Sequence, residues 1–117
     1  MILSPLTIEK RPVGRRTTLM ISVYEAVVWF AKPAAELLGL PKNKVSFELG
    51  DSVYVVYHDL NGYDITVNKK RMSHTIHNRA LCKTFLEAFG AKNRVTFIVD
   101  KNPLKAGIYQ ITVKDKA

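Results

Sequence analysis

The sequence predicts an α+β domain of ferredoxin-like plan, a split β-α-β unit duplicated about a pseudo-twofold axis. A mostly antiparallel sheet would carry both helices on one face, with one extra strand. Three observations lead there. The hexapeptide Lys42-Asn43-Lys44-Val45-Ser46-Phe47 returns as Lys92-Asn93-Arg94-Val95-Thr96-Phe97. Each is preceded by apolar residues at helical spacing that stop at a glycine, Gly39 or Gly90. Each then opens into alternating apolar positions, Val45, Phe47, Leu49 and Val95, Phe97, Val99, as a half-buried strand requires.

The duplication extends beyond the hexapeptides. Ile21-Ser22, Phe30-Ala31-Lys32 and Glu36-Leu37-Leu38-Gly39 align without a gap against Met72-Ser73, Leu81-Cys82-Lys83 and Glu87-Ala88-Phe89-Gly90. Pro41 is then a one-residue insertion. Leu6-Thr7-Ile8-Glu9-Lys10 echoes Ile65-Thr66-Val67-Asn68-Lys69. The repeat units run approximately over 4–58 and 63–117, inside a single domain spanning 1–117. Two copies are too few for a solenoid, so they are expected to share one core.

Element by element, strands are expected at residues 6–10 and 63–67. Ser22-Val23-Tyr24-Glu25 has the spacing of a capping box and predicts a helix through Leu38. Pro33 interrupts it, so that helix is kinked near residues 29–33 or begins there after an extended segment. In the second copy Thr84 replaces the proline, and an unbroken helix is expected over 73–89. Gly50-Asp51 turns or bends the first hexapeptide strand, and residues 52–58 form a further strand rich in Val and Tyr. Asn61-Gly62 signals a hairpin. Residues 101–107 are a loop, and residues 108–113 close the chain.

A competing plan comes from residues 37–49, Leu-Leu-Gly-Leu-Pro-Lys-Asn-Lys-Val-Ser-Phe-Glu-Leu. This stretch resembles the helix-to-strand segment of the AbrB-type swapped-hairpin DNA-binding domains. There a Leu-Gly-Leu or Leu-Gly-Ile turn leads to Gly-Asp and then to alternating strand residues. The Gly-Asp is missing here, and the basic strand that precedes the helix in that family is not clearly matched. The resemblance covers a dozen or so residues of each half and implies a swapped dimer.

Composition narrows the function classes. Apolar residues make up 47% and charged residues 24%, as in ordinary globular domains. Cys82 is the one cysteine, so no intrachain disulfide forms, and a reducing, cytoplasmic location is expected. The N-terminus has no basic segment followed by an apolar run of signal-peptide type, and no apolar stretch is long enough to span a membrane. The net charge of +8 attracts polyanions.

Motifs for catalysis are missing. His74 and His77 would share a helix face, with Cys82 nearby, but a zinc site needs about four ligands. Cys82 aligns with Ala31 at a buried helix position, where a thiol acts as a small hydrophobe. Asp51, Asp59, Asp64 and Asp100 fall at expected turns, where aspartate serves the turn itself. No phosphate-cradling glycine loop appears. The chain therefore reads as a non-enzyme with no cofactor, no metal and no small-molecule substrate.

The basic residues are clustered. Arg11, Arg15 and Arg16 follow the first expected strand, and Lys69, Lys70 and Arg71 follow its echo. Lys42 and Lys44 are mirrored by Lys92 and Arg94. These ten residues are the expected phosphate contacts of a small DNA- or RNA-binding protein, since backbone contacts need charge without strict sequence order. Tyr54, Tyr57, Tyr63 and Tyr109 could add base stacking if exposed. The alternative is an assembly or adaptor module, such as a phage or mobile-element structural protein with incidental positive charge. It would use Trp29 or the strand over 52–58 at a sheet edge, with a second copy of the chain as one candidate partner.

Overall fold

The computed structural model describes residues 19–70 and 73–117. The strand expected at residues 6–10 lies outside them. Eight strands form one curled, half-barrel antiparallel sheet with two short helices. In chain order they are β1 (Met20–Val23), β2 (Val27–Phe30), α1 (Lys32–Leu38), β3 (Val45–Leu49) and β4 (Tyr54–His58). The second set is β5 (Thr66–Asn68), β6 (Ser73–His77), α2 (Arg79–Ala88), β7 (Val95–Val99) and β8 (Ile108–Lys116).

This overturns the ferredoxin-like expectation. The residues expected to begin each helix are strand instead. In the first copy, Met20–Val23 and Val27–Phe30 pair as a hairpin, Ile21 opposite Phe30 and Val23 opposite Val28. The Ser22-to-Glu25 capping box does not form, because Ser22 belongs to β1, where its hydroxyl meets that of Thr96 at 3.3 Å. In the second copy, Ser73–His77 is β6, and the helix starts only after Asn78, whose side chain accepts from the Leu81 amide at 2.9 Å. Both segments are rich in β-branched and aromatic residues, which favour a pleated surface over a helix. Val28 and Phe30 are buried while Val27 and Trp29 are only half-buried, so the working period is two. Pro33 stands in the first turn of α1, where a proline needs no amide partner.

The two halves share their geometry at the helix ends. Leu40 N–H donates to Ala35 O at 3.0 Å and Gly39 N–H to Glu36 O at 3.2 Å. One repeat later, Ala91 N–H donates to Leu86 O at 2.9 Å and Gly90 N–H to Glu87 O at 3.2 Å. These are paired Schellman caps, with Gly39 at φ 69° and Gly90 at φ 62°. Each hexapeptide then enters a strand with its valine fully buried, Val45 in β3 and Val95 in β7.

Each copy is therefore hairpin, helix, hairpin. The sheet order is β3-β4-β8-β7-β1-β2-β6-β5, so neighbouring hairpins come from opposite copies. Two of the contacts between hairpins join counterparts, β4 with β8 and β2 with β6, whereas β1 pairs with β7 and their counterparts β5 and β3 stand at the two ends of the order. β4 is an interior strand, so the Val/Tyr strand does not supply a sheet edge. The core fills the concave side. Phe30, Phe85 and Phe97 are its largest fully buried side chains, and Phe85 meets Phe97 edge to face at 5.6 Å. α1 packs on β1 and β6, and α2 on β1 and β2.

Candidate nucleic-acid interface

The described residues hold thirteen of the eighteen basic residues and nine of the ten acidic ones, and so half of the net charge of +8. Arg11, Arg15, Arg16 and Arg71 lie outside the described residues. The remaining six expected contacts fall on turns at the rim of the sheet, because a turn leaves backbone and side chain in water.

Lys69 and Lys70 form the turn of the β5–β6 hairpin, where Lys70 N–H donates to the Asn68 side chain at 3.1 Å. Both are exposed, and neither has a carboxylate partner among the described residues. Lys42 and Lys92 are the first basic residues of the two hexapeptides. They are exposed and also without an ion pair among the described residues.

The second basic residue of each hexapeptide is engaged instead. Lys44 Nζ lies 2.9 Å from Asp64, and the Arg94 guanidinium lies 3.3 Å from Asp115. Each of the two equivalents thus has a carboxylate beside it, from a different place in the repeat. Such partly exposed pairs contribute at most about 1 kcal/mol. They do lower the local positive potential.

Two hollows collect these groups. Lys42 and Lys44 border one of about 220 Å³ with His58 and Asp59. Lys92 borders another of about 510 Å³ with Arg79, Lys83, Glu25 and Glu87. Arg79 and Lys83 are exposed on α2, and the sequence reading passed over them. Their i, i+4 spacing was the available signal, and it already falls within the helix expected over 73–89.

The other candidate residues do not assemble a reactive site. His74 and His77 stand on β6, three residues apart in a strand and therefore on opposite faces. His77 is exposed, with Thr75 Oγ1 3.1 Å from its Nε2. Cys82 is fully buried, and burial pushes its thiol pKa upward. Among the described residues no three His, Cys, Asp or Glu side chains converge as metal ligands. Asp59 and Asp100 each accept from the backbone amide two residues on, which is the turn role expected of them. Tyr54 is committed to Phe89, 4.9 Å ring to ring, and Tyr109 lies beside His58 at 6.3 Å. Those tyrosines pack rather than stand as a stacking platform. Among the described residues no helix is long and apolar enough to cross a membrane.

Comparison with protein-family models, curated proteins and solved structures finds no match to this chain.

Proposed function

We propose that this is a small, basic, non-enzymatic nucleic-acid-binding protein that contacts the phosphate backbone. The observation that carries the reading is that four exposed lysines, Lys42, Lys69, Lys70 and Lys92, lie on turns of a sheet with surplus positive charge and have no carboxylate partner among the described residues. Held on turns, Lys69 and Lys70 between β5 and β6 and Lys42 and Lys92 between a helix and the next strand, they offer exposed ammonium groups to phosphates. Arg79 extends the Lys92 group, whereas Lys83 lies 3.9 Å from Glu87. Lys44 and Arg94 are secondary contacts, because an incoming phosphate must displace Asp64 or Asp115.

Fluorescence anisotropy with random-sequence single- and double-stranded DNA and RNA tests this, at about 50 and 200 mM salt. Binding at micromolar Kd or tighter that weakens at least tenfold over that range is expected. Replacing Lys69 and Lys70 together by alanine should lower the slope of log affinity against log salt by about 1.8, at roughly 0.9 per phosphate on B-DNA. Lys44→Ala should change it less. Absence of binding to all four probes at the lower salt refutes the proposal.

A further inference from the structure

The antiparallel pairing sorts the connections of the molecule between its two ends. Every strand pair in the sheet is antiparallel, so β3, β8, β1 and β6 run one way and β4, β7, β2 and β5 the other. The chain entering β3, the turn between β5 and β6, the loop between β7 and β8 and the exit of β2 into α1 therefore share one end. Two contacts agree with this: Ala31 N–H donates to Met20 O at 3.0 Å, and His58 N–H to Gly107 O at 2.9 Å. The turns from β1 to β2 and from β3 to β4 lie at the opposite end, with the chain between α2 and β7.

The two ends are unlike in charge. The first carries six lysines that are exposed and have no carboxylate partner among the described residues: Lys32, Lys42, Lys69, Lys70, Lys101 and Lys105. Lys32, Lys101 and Lys105 are not among the ten contacts expected from the sequence. The aspartates of this end are committed. Asp59 accepts from the Asn61 amide and the Ser46 hydroxyl, Asp100 from the Asn102 amide, and Asp64 pairs with Lys44. At the opposite end the cations sit among carboxylates. Arg94 pairs with Asp115 and Lys83 with Glu87, and Lys92 and Arg79 share their hollow with Glu25 and Glu87.

We infer that the nucleic acid lies along the first end, on a row running from Lys42 past Lys105, Lys101 and Lys32 to Lys69 and Lys70. This rests on the nucleic-acid reading above and adds which end does the binding; Lys92 is then a separate and weaker contact. The row follows the sheet order, from β3 at one margin through β8, β7 and β2 to β6 and β5 at the other. Seven steps between strands, each of about 4.8 Å, carry it about 34 Å along the curve. One strand of B-DNA presents about ten phosphates over that length, so every lysine has a phosphate within reach. Charge complementarity selects the occupant. Residues 1–18 hold Lys10, Arg11, Arg15 and Arg16 against Glu9 alone, and a second copy is equally basic, so neither supplies the anion. Leu60 and Leu104 are exposed at the same end, and they separate a nucleic acid from an anionic membrane in the test.

The anisotropy titrations are repeated with two paired variants of the full chain, each lacking two exposed charges. Lys101→Ala with Lys105→Ala takes them from the first end, and Lys83→Ala with Lys116→Ala from the opposite end. The first pair should lower the slope of log affinity against log salt by about 1.8, at roughly 0.9 per phosphate on B-DNA, and the second by less than about half of that. Equal changes in the two slopes overturn the inference and leave the nucleic-acid reading standing, because net charge rather than one end would then govern binding. Absence of binding by the unmodified chain overturns both. The unmodified chain is also titrated with vesicles of phosphatidylserine and phosphatidylcholine. Vesicle binding without nucleic-acid binding, lost in Leu60→Ser with Leu104→Ser, assigns this end to a membrane surface and overturns the inference.

Discussion

Phe47 and Phe97 are the same position in the two repeats, and truncating each to alanine measures how differently the two are covered. Phe97 is fully buried and contacts two rings, Phe85 at 5.6 Å and Phe89 at 5.2 Å. A buried Phe→Ala change costs about 3–5 kcal/mol, and each edge-to-face pair accounts for about 0.5–1.5 kcal/mol beyond area burial. Phe97→Ala should therefore cost about 4 kcal/mol. Phe47 is half-buried and contacts one ring, Phe85, at 5.1 Å and 86°. Losing half the buried area and one pair puts Phe47→Ala at about 2 kcal/mol. At this chain length, about 4 °C of Tm per kcal/mol separates the two variants by about 8 °C. Urea unfolding followed by circular dichroism gives the free energies directly. Phe97→Leu is the fallback if total stability sits near the low end of about 5 kcal/mol and Phe97→Ala does not fold. Equal losses for Phe47→Ala and Phe97→Ala would refute the reasoning, because Phe47 would then be covered as completely as Phe97.

Three further outcomes are expected. Asn78→Ala removes the side-chain cap on the Leu81 amide and should cost about 1 kcal/mol in urea unfolding, with Asn78→Asp restoring most of it. Gly39→Ala should cost more than Gly90→Ala: both glycines have positive φ, but an added Cβ at Gly39 would sit 2.6 Å from the Asn43 side chain, whereas at Gly90 it meets nothing within 4 Å. The Gly90 change should cost about 1 kcal/mol and the Gly39 change about 2, read from the same denaturation curves. Burial raises the Cys82 thiol above its ordinary value of 9.0, so the unfolded chain loses that proton first. The resulting stability is fully present below pH 9.0 and should be lost as pH rises through the higher folded value. Cys82→Ala should flatten that part of a stability-against-pH curve.

The sequence by itself determined the features that short stretches can encode. Gly39 and Gly90 must end helices, because each needs a left-handed backbone that glycine adopts without strain. The hexapeptides must open strands, because Val45, Phe47 and Val95, Phe97 alternate with polar residues. The duplication, and the basic residues at its turns, were likewise plain in the letters. Tertiary structure decided the rest. Residues 20–30 and 73–77 carry apolar patterns that satisfy a helix or a strand about equally over so few residues. They became strands because the concave sheet offered Ile21, Val28, Phe30 and Ile76 a common buried side. Lys44 and Arg94 look equivalent to Lys42 and Lys92 in sequence, and only the fold brings Asp64 and Asp115 against them. The order of strands is likewise set by contacts far apart in the chain. Each hairpin buries its apolar face best against a hairpin of the other repeat, and no local pattern records which neighbour it will find.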